Sequence, residues 1–181
     1  MKLTVQMPET GAFTTLGMPH LPKRLFRLFP QLNRHKCEND YGYTFRRECR
    51  DTELPHLLEH LIIELQSQAE PHGLLCGQTM WNWRQDPRGR FHVYVDYTNE
   101  VLAIAAVRLA ERIIKAIDGR DMEHVDVEVE MVRLKEIARI GRELAAGLPR
   151  ASRNSWEGAA PATEPAPVAQ RVEPLAEPVA A

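Results

Sequence analysis

The chain has 181 residues, 44% of them hydrophobic and 27% charged, with 23 Lys and Arg against 25 Asp and Glu. That is one soluble globular domain by size and composition, neither a disordered chain nor a membrane protein. The net charge is -2, and residues 151–181 account for all of it through Arg153 and Arg171 against Glu157, Glu164, Glu173 and Glu177. The remaining 150 residues balance, so no bulk charge argues for nucleic acid or an anionic membrane as the main partner, and the balance counts against a basic-patch RNA binder. Cys37, Cys49 and Cys76 are odd in number and lack metal-knuckle or disulfide spacing, which points to a reducing cytoplasm. The start, MKLTVQMPET, has no apolar h-region, and no apolar run approaches the ~18 residues needed to cross a bilayer.

In chain order, Leu25, Phe26, Leu28 and Phe29 within Pro22 to Leu32 predict a short helix that Pro30 ends. Asn39-Asp40-Tyr41-Gly42 predicts a turn. Thr52 is a suitable N-cap and Pro55 sits in a first turn, which predicts a helix from about Glu53 to Gln68, with Gly73 closing the segment. QDPRG predicts a turn into a strand over Phe91 to Tyr97, where Phe91, Val93, Val95 and Tyr97 alternate with polar neighbours. Thr98 or Asn99 caps the next helix, whose Val101, Ile104, Ala105, Leu109, Ile113 and Ile117 fall at helical spacing until Gly119. A last helix is predicted over about Asp126 to Ala146, with Val125, Val127 and Val129 also compatible with a strand start. The order implies an α+β domain over residues 1–149, a small sheet covered by two or three helices. Five prolines interrupt the Ala/Glu-rich run over residues 152–181, so residues 150–181 read as a disordered tail.

The chemistry concentrates on the helix from Glu53. His56-Leu57-Leu58-Glu59-His60 is an H-x-x-E-H motif, and a turn of ~3.6 residues stacks its two imidazoles on one face. Leu57, Leu58, Leu61, Ile62 and Leu65 form the apolar back, while His56, Glu59, His60 and Glu64 share a front on which Ile63 suggests a cleft. Neutral imidazoles bind Zn²⁺ with positions left for water, and a carboxylate beside the second ligand is placed to take a proton. The motif is the inverted form of the zinc-peptidase signature. The bland alternative is a solvated face carrying two surface histidines.

Catalytic zinc usually takes three protein ligands. Glu64 shares the face as ligand or as a group orienting a histidine; Glu128, Glu130 and the His35–Cys37 pair are further candidates, and the choice stays open at this level. His20, His72 and His124 read as solvated, and His92 as hydrogen-bonded within the strand. Trp81-Asn82-Trp83-Arg84 is either a substrate grip or loop packing. Lys23, Arg24, Arg27, Arg34, Lys36, Arg46 and Arg47 read as a solvated charged face, with phosphates or polymer aspartates as the alternative.

Taken in order, LPKRLFRLFPQLNRHKC, TELPHLLEHLIIELQ, GLLCGQT, FHVYVDYTNEVLAIAAVRLAERII and HVDVEVEMVRLKEIA resemble the amino-terminal domain of cyanophycin synthetase over about residues 15–145. The resemblance implies that His56 and His60 hold zinc, that Glu59 acts as general base and that Glu64 belongs to the site. It further implies a metallopeptidase-like hydrolase of a peptide-like polymer, cyanophycin or related Asp/Arg material. A non-catalytic module that binds polymer or a partner is the rival expectation, and a homo-oligomer is left open. The chain has no Gly-rich phosphate loop and no length for the ligase domains, so a stand-alone copy of that domain is implied.

Overall fold

A computed structural model describes residues 1–8, 13–37, 42–71, 73–82 and 84–147. The strands are β1 (Lys2–Gln6), β2 (Gly77–Met80) and β3 (Arg90–Val95). The helices are α1 (His20–Leu28), α2 (Phe45–Glu48), α3 (Leu54–Ala69), α4 (Glu100–Asp118) and α5 (Val127–Gly147), with 3₁₀ turns at Thr15–Gly17, Pro30–Arg34 and Met122–His124. This is the α+β class that the sequence predicts. The predicted tail over 150–181, the residues 39–41 of the predicted turn, His72 and Trp83 lie outside the described residues.

The sheet is antiparallel throughout, in the order β1-β3-β2, with Leu3 opposite Val93 and Thr79 opposite Val93 on the other side. Alternation along β3 does what the pattern requires: Phe91, Val93 and Val95 are buried, while His92 and Tyr94 are only partly covered. The strand stops at Val95, two residues before the predicted end, and Tyr97 is exposed. Neither β1 nor β2 is predicted from sequence. Five and four residues long, with partial burial, they carry too little apolar alternation to stand out, and β3 supplies the hydrogen-bonding template that makes them strands.

Helix α3 is the centre of the domain and packs against α4, α5, β2 and β3. Its predicted back is buried in full, Leu57, Leu61, Ile62 and Leu65 all at 0 or 1% exposure, and each such side chain contributes about 1.5–3 kcal/mol of apolar burial. Most of the predicted front is buried as well: Glu59, His60, Ile63 and Glu64 are 8% exposed or less, and His56 is partly covered. The solvated-face alternative is therefore excluded. Pro55 occupies the first turn as predicted, but the N-cap residue is Glu53 with no side-chain cap bond, and the helix ends at Ala69 before Gly73 is reached.

Helix α4 begins as predicted, with Asn99 Oδ1 accepting from the Leu102 N–H at 3.2 Å. Its buried stripe is Leu102, Ala103, Ala106, Leu109, Ala110, Ile113 and Ile117. Val101 and Ile104, at helical spacing with the buried positions, are 44 and 47% exposed, and Ala103, Ala106 and Ala110 are buried in the stripe instead. Helix α5 starts at Val127, so the alternative strand start does not form. Among the described residues no helix is long and apolar enough to cross a membrane.

Candidate metal centre

Helix α3 aims His56 and His60 toward the chain that leaves the 3₁₀ turn Pro30–Arg34. At that point His35 and Cys37 come against them. The Nε2 atoms of His56 and His60 are 3.2 Å apart, and the Cys37 Sγ is 3.4 Å from His56 Nε2. All three donor atoms lie within 4.8 Å of one another. A tetrahedral zinc, with Zn–N about 2.0–2.1 Å and Zn–S about 2.3 Å, separates two nitrogens by about 3.3 Å and nitrogen from sulfur by about 3.6 Å. The two edges at His56 Nε2 are close to these lengths, and Cys37, His56 and His60 form a group that could hold a metal ion.

The surrounding hydrogen bonds fix which nitrogens face inward. His56 Nδ1 meets Thr52 Oγ1 at 2.8 Å, and in the tautomer that donates its N–H to this hydroxyl oxygen the Nε2 lone pair points at the cluster. His60 Nδ1 meets His35 Nδ1 at 3.1 Å, and His35 Nε2 meets Glu64 Oε2 at 2.8 Å. One tautomer assignment satisfies this run: His60 donates to His35, and His35 donates to the Glu64 carboxylate. Gln68 Nε2 donates to the other Glu64 oxygen. Both imidazoles thus present acceptor nitrogens to the same point, an arrangement that is repulsive until a cation sits between them. Burial holds both in the neutral form: desolvation lowers His56, and desolvation with the neighbouring His56 and His35 rings pushes His60 down to about 2. Phe45, on α2, stacks on the His60 ring at 3.6 Å between centroids and sets its plane.

Glu64, expected among the ligands, sits behind His35. Glu130 is engaged by Arg112 at 3.0 Å and Arg133 at 2.8 Å, and Glu128 is exposed on α5, so the glutamates of that helix are not in the donor set. The His35–Cys37 segment divides its work, Cys37 joining the donors and His35 backing His60.

Glu59 projects to the β2 side of α3. The Thr79 hydroxyl donates to its Oε2 at 2.6 Å, and burial pushes the carboxyl up to about 7 against that hydrogen bond. Gly77 makes room for it: a Cβ at that position would stand 2.6 Å from Glu59 Oε1 and 2.7 Å from its Cγ. Thr79, Gly77, Thr52 and Phe45 are site residues that sequence reasoning missed. Only Thr52 lay within the motif's neighbourhood, four residues before His56, and it was assigned to capping. Trp81 packs its ring 5.5 Å from Phe91, which makes it loop packing against the sheet. His92 Nε2 bonds Asp86 at 3.1 Å, the hydrogen-bonded role expected for it.

A helix-borne pair of imidazoles, a cysteine from a preceding segment and a small antiparallel sheet define an α+β domain built around a candidate metal centre. The chain belongs to the cyanophycin synthase-like N-terminal domain family, whose sequence pattern it matches over residues 2–118, more than half its length. None of the curated proteins compared with it matches.

Proposed function

We propose that the protein is a zinc-dependent hydrolase of amide bonds in a peptide-like polymer, cyanophycin or related Asp/Arg material, working in a reducing cytoplasm. The observation that carries this is the convergence of Cys37, His56 and His60, whose donor atoms lie within 4.8 Å of one another with 3.2 Å between the two Nε2 atoms. Three protein donors and an open fourth place are the pattern of catalytic zinc, whereas structural zinc is closed by four. Borderline-soft nitrogen and thiolate donors suit zinc over magnesium or calcium. When bound, the ion supplies Lewis-acid polarisation and a more acidic water.

The chain's own groups do the rest. Thr52, His35 and Glu64 orient the two imidazoles and keep their inward nitrogens free. Glu59 is the general base that the H-x-x-E-H resemblance implies: it would give up its Thr79 hydrogen bond to take the proton as water attacks the carbonyl, and return it to the leaving amine. A carboxyl pushed up to about 7 suits both halves of that exchange. The family's name supports the polymer as substrate class.

A second reading has one observation in its favour. His60 is 5% exposed beneath Phe45, and Glu59 is already held by Thr79, as in a metal clip that pins the segment at His35–Cys37 to α3 in a non-catalytic polymer- or partner-binding module. Glu59→Gln separates the two. Under the hydrolase reading it keeps about one zinc per chain and loses turnover of cyanophycin on the order of 10²-fold or more. A wild type that binds zinc and leaves cyanophycin and generic peptides intact establishes the clip.

A further inference from the structure

Helix α1 is polar along one edge in an unusual way. Leu21 and Leu25 are fully buried, while His20, Lys23, Arg24 and Arg27 follow at i, i+3, i+4 and i+7 on another edge. No acidic residue occurs in the helix. Together with Arg120, just past the end of α4, these four side chains line a groove of about 440 Å³.

Three observations bear on what this groove can hold. First, Lys23, Arg24, Arg27 and Arg120 are exposed, and among the described residues none of them pairs with a carboxylate, a state they share with Arg34, Lys36 and Arg46. The nearby Asp121 is bonded to His124 at 2.7 Å. Secondly, His20 Nε2 at the groove is buried without a hydrogen-bond partner, as are Asn33 Oδ1 and His92 Nδ1 elsewhere among the described residues. Thirdly, Arg120 adopts φ +56 while Gly119 before it keeps φ -71. The left-handed position after a helix is normally given to glycine, and here the sterically disfavoured conformation is borne by an arginine that lines the groove.

We propose that the groove between α1 and the end of α4 is a binding site for a compact, multiply charged oxyanion of the phosphate class, about the size of pyrophosphate. Its volume lies in the range of small-molecule sites and is too small for a nucleic-acid duplex. Four exposed cations border it, beside Ile117 and Met122, and their summed field favours an anion. Guanidinium groups match tetrahedral oxyanions through paired N–H donors, and Lys23 adds a point charge. The buried imidazole nitrogen of His20 supplies the uncharged partner. An extended carboxylate polymer places its charges farther apart than a groove of this size gathers them.

The test is calorimetric titration of the full chain with inorganic pyrophosphate at about 0.15 M salt, with EDTA present so that the metal centre takes no part. The expected result is saturable binding that weakens on the order of tenfold or more in Arg24→Ala/Arg27→Ala. Arg120→Gly is the second variant: it removes a groove cation while easing the backbone, so affinity falls as thermal stability holds or rises. Absence of binding by the wild type, equal affinity in the double variant, or tighter binding of an aspartate oligomer than of pyrophosphate overturns the proposal.

Discussion

His35 Nδ1 stands 3.1 Å from His60 Nδ1 and is itself tied through Nε2 to Glu64, so a residue 25 positions before His60 determines which nitrogen of His60 is free to bind a metal. Removing such an orienting partner typically costs 10- to 100-fold in metal affinity. His35→Ala should therefore weaken zinc binding by about 10- to 100-fold without changing the stoichiometry, measured by competition with a chromophoric chelator. His56→Ala removes a donor outright and should lose the bound ion. If His35→Ala holds zinc as tightly as wild type, the relay through Glu64 has no role in the centre.

Cys37 tests the donor set from the other side. Cobalt substituted into the wild type should show an intense sulfur-to-metal charge-transfer band if the proposed donor set, with the Cys37 thiolate, holds the ion. Cys37→Ser should abolish the band, and Cys76→Ser, at an exposed position, should leave it intact. A cobalt protein without the band excludes Cys37.

Metal removal should loosen the fold locally. The ion joins α3 to a segment beyond the 3₁₀ turn, and anything that binds only the folded state stabilises it by mass action, about 2.7 kcal/mol at a ligand excess of 100 times Kd. Chelation is expected to lower Tm and to increase amide exchange around residues 35–37 and α2 while β3 and α4 stay protected. Hydrogen exchange with and without EDTA measures this.

Two glycines mark places where a side chain must come close. At Gly141, a Cβ would stand 2.3 Å from Asn99 Oδ1, the atom that caps α4, and the Asn99 amide also donates to Ala138 O at 3.0 Å. Gly141→Ala should destabilise by about 1–3 kcal/mol through overpacking, read from denaturant midpoints. Gly77→Ala, which crowds the Glu59 carboxylate, should carry a similar loss and also reduce hydrolytic turnover. A neutral Gly77→Ala would mean that Glu59 has room to move.

A core substitution gives the scale for these effects. Leu61 is fully buried on α3, and Leu61→Ala should cost about 2–5 kcal/mol in urea or guanidinium unfolding.

The sequence by itself determined the elements whose periodicity is long or strict: α3, α4 and α5, and the alternating strand β3. It also determined that His56 and His60 share a helix face, because spacing along a helix is local geometry. It named Cys37 and His35 only as one candidate among several. What the tertiary structure decided is everything that depends on chain segments meeting. Cys37 and His35 reach α3 across about twenty residues, and no local pattern encodes that approach. Glu64 and Glu59 lie on the same helix, yet one turns to His35 and the other to Thr79 on a strand too short to announce itself. Side-chain roles in a buried polar cluster follow from which partner satisfies each donor and acceptor, and that is settled only when the elements pack together.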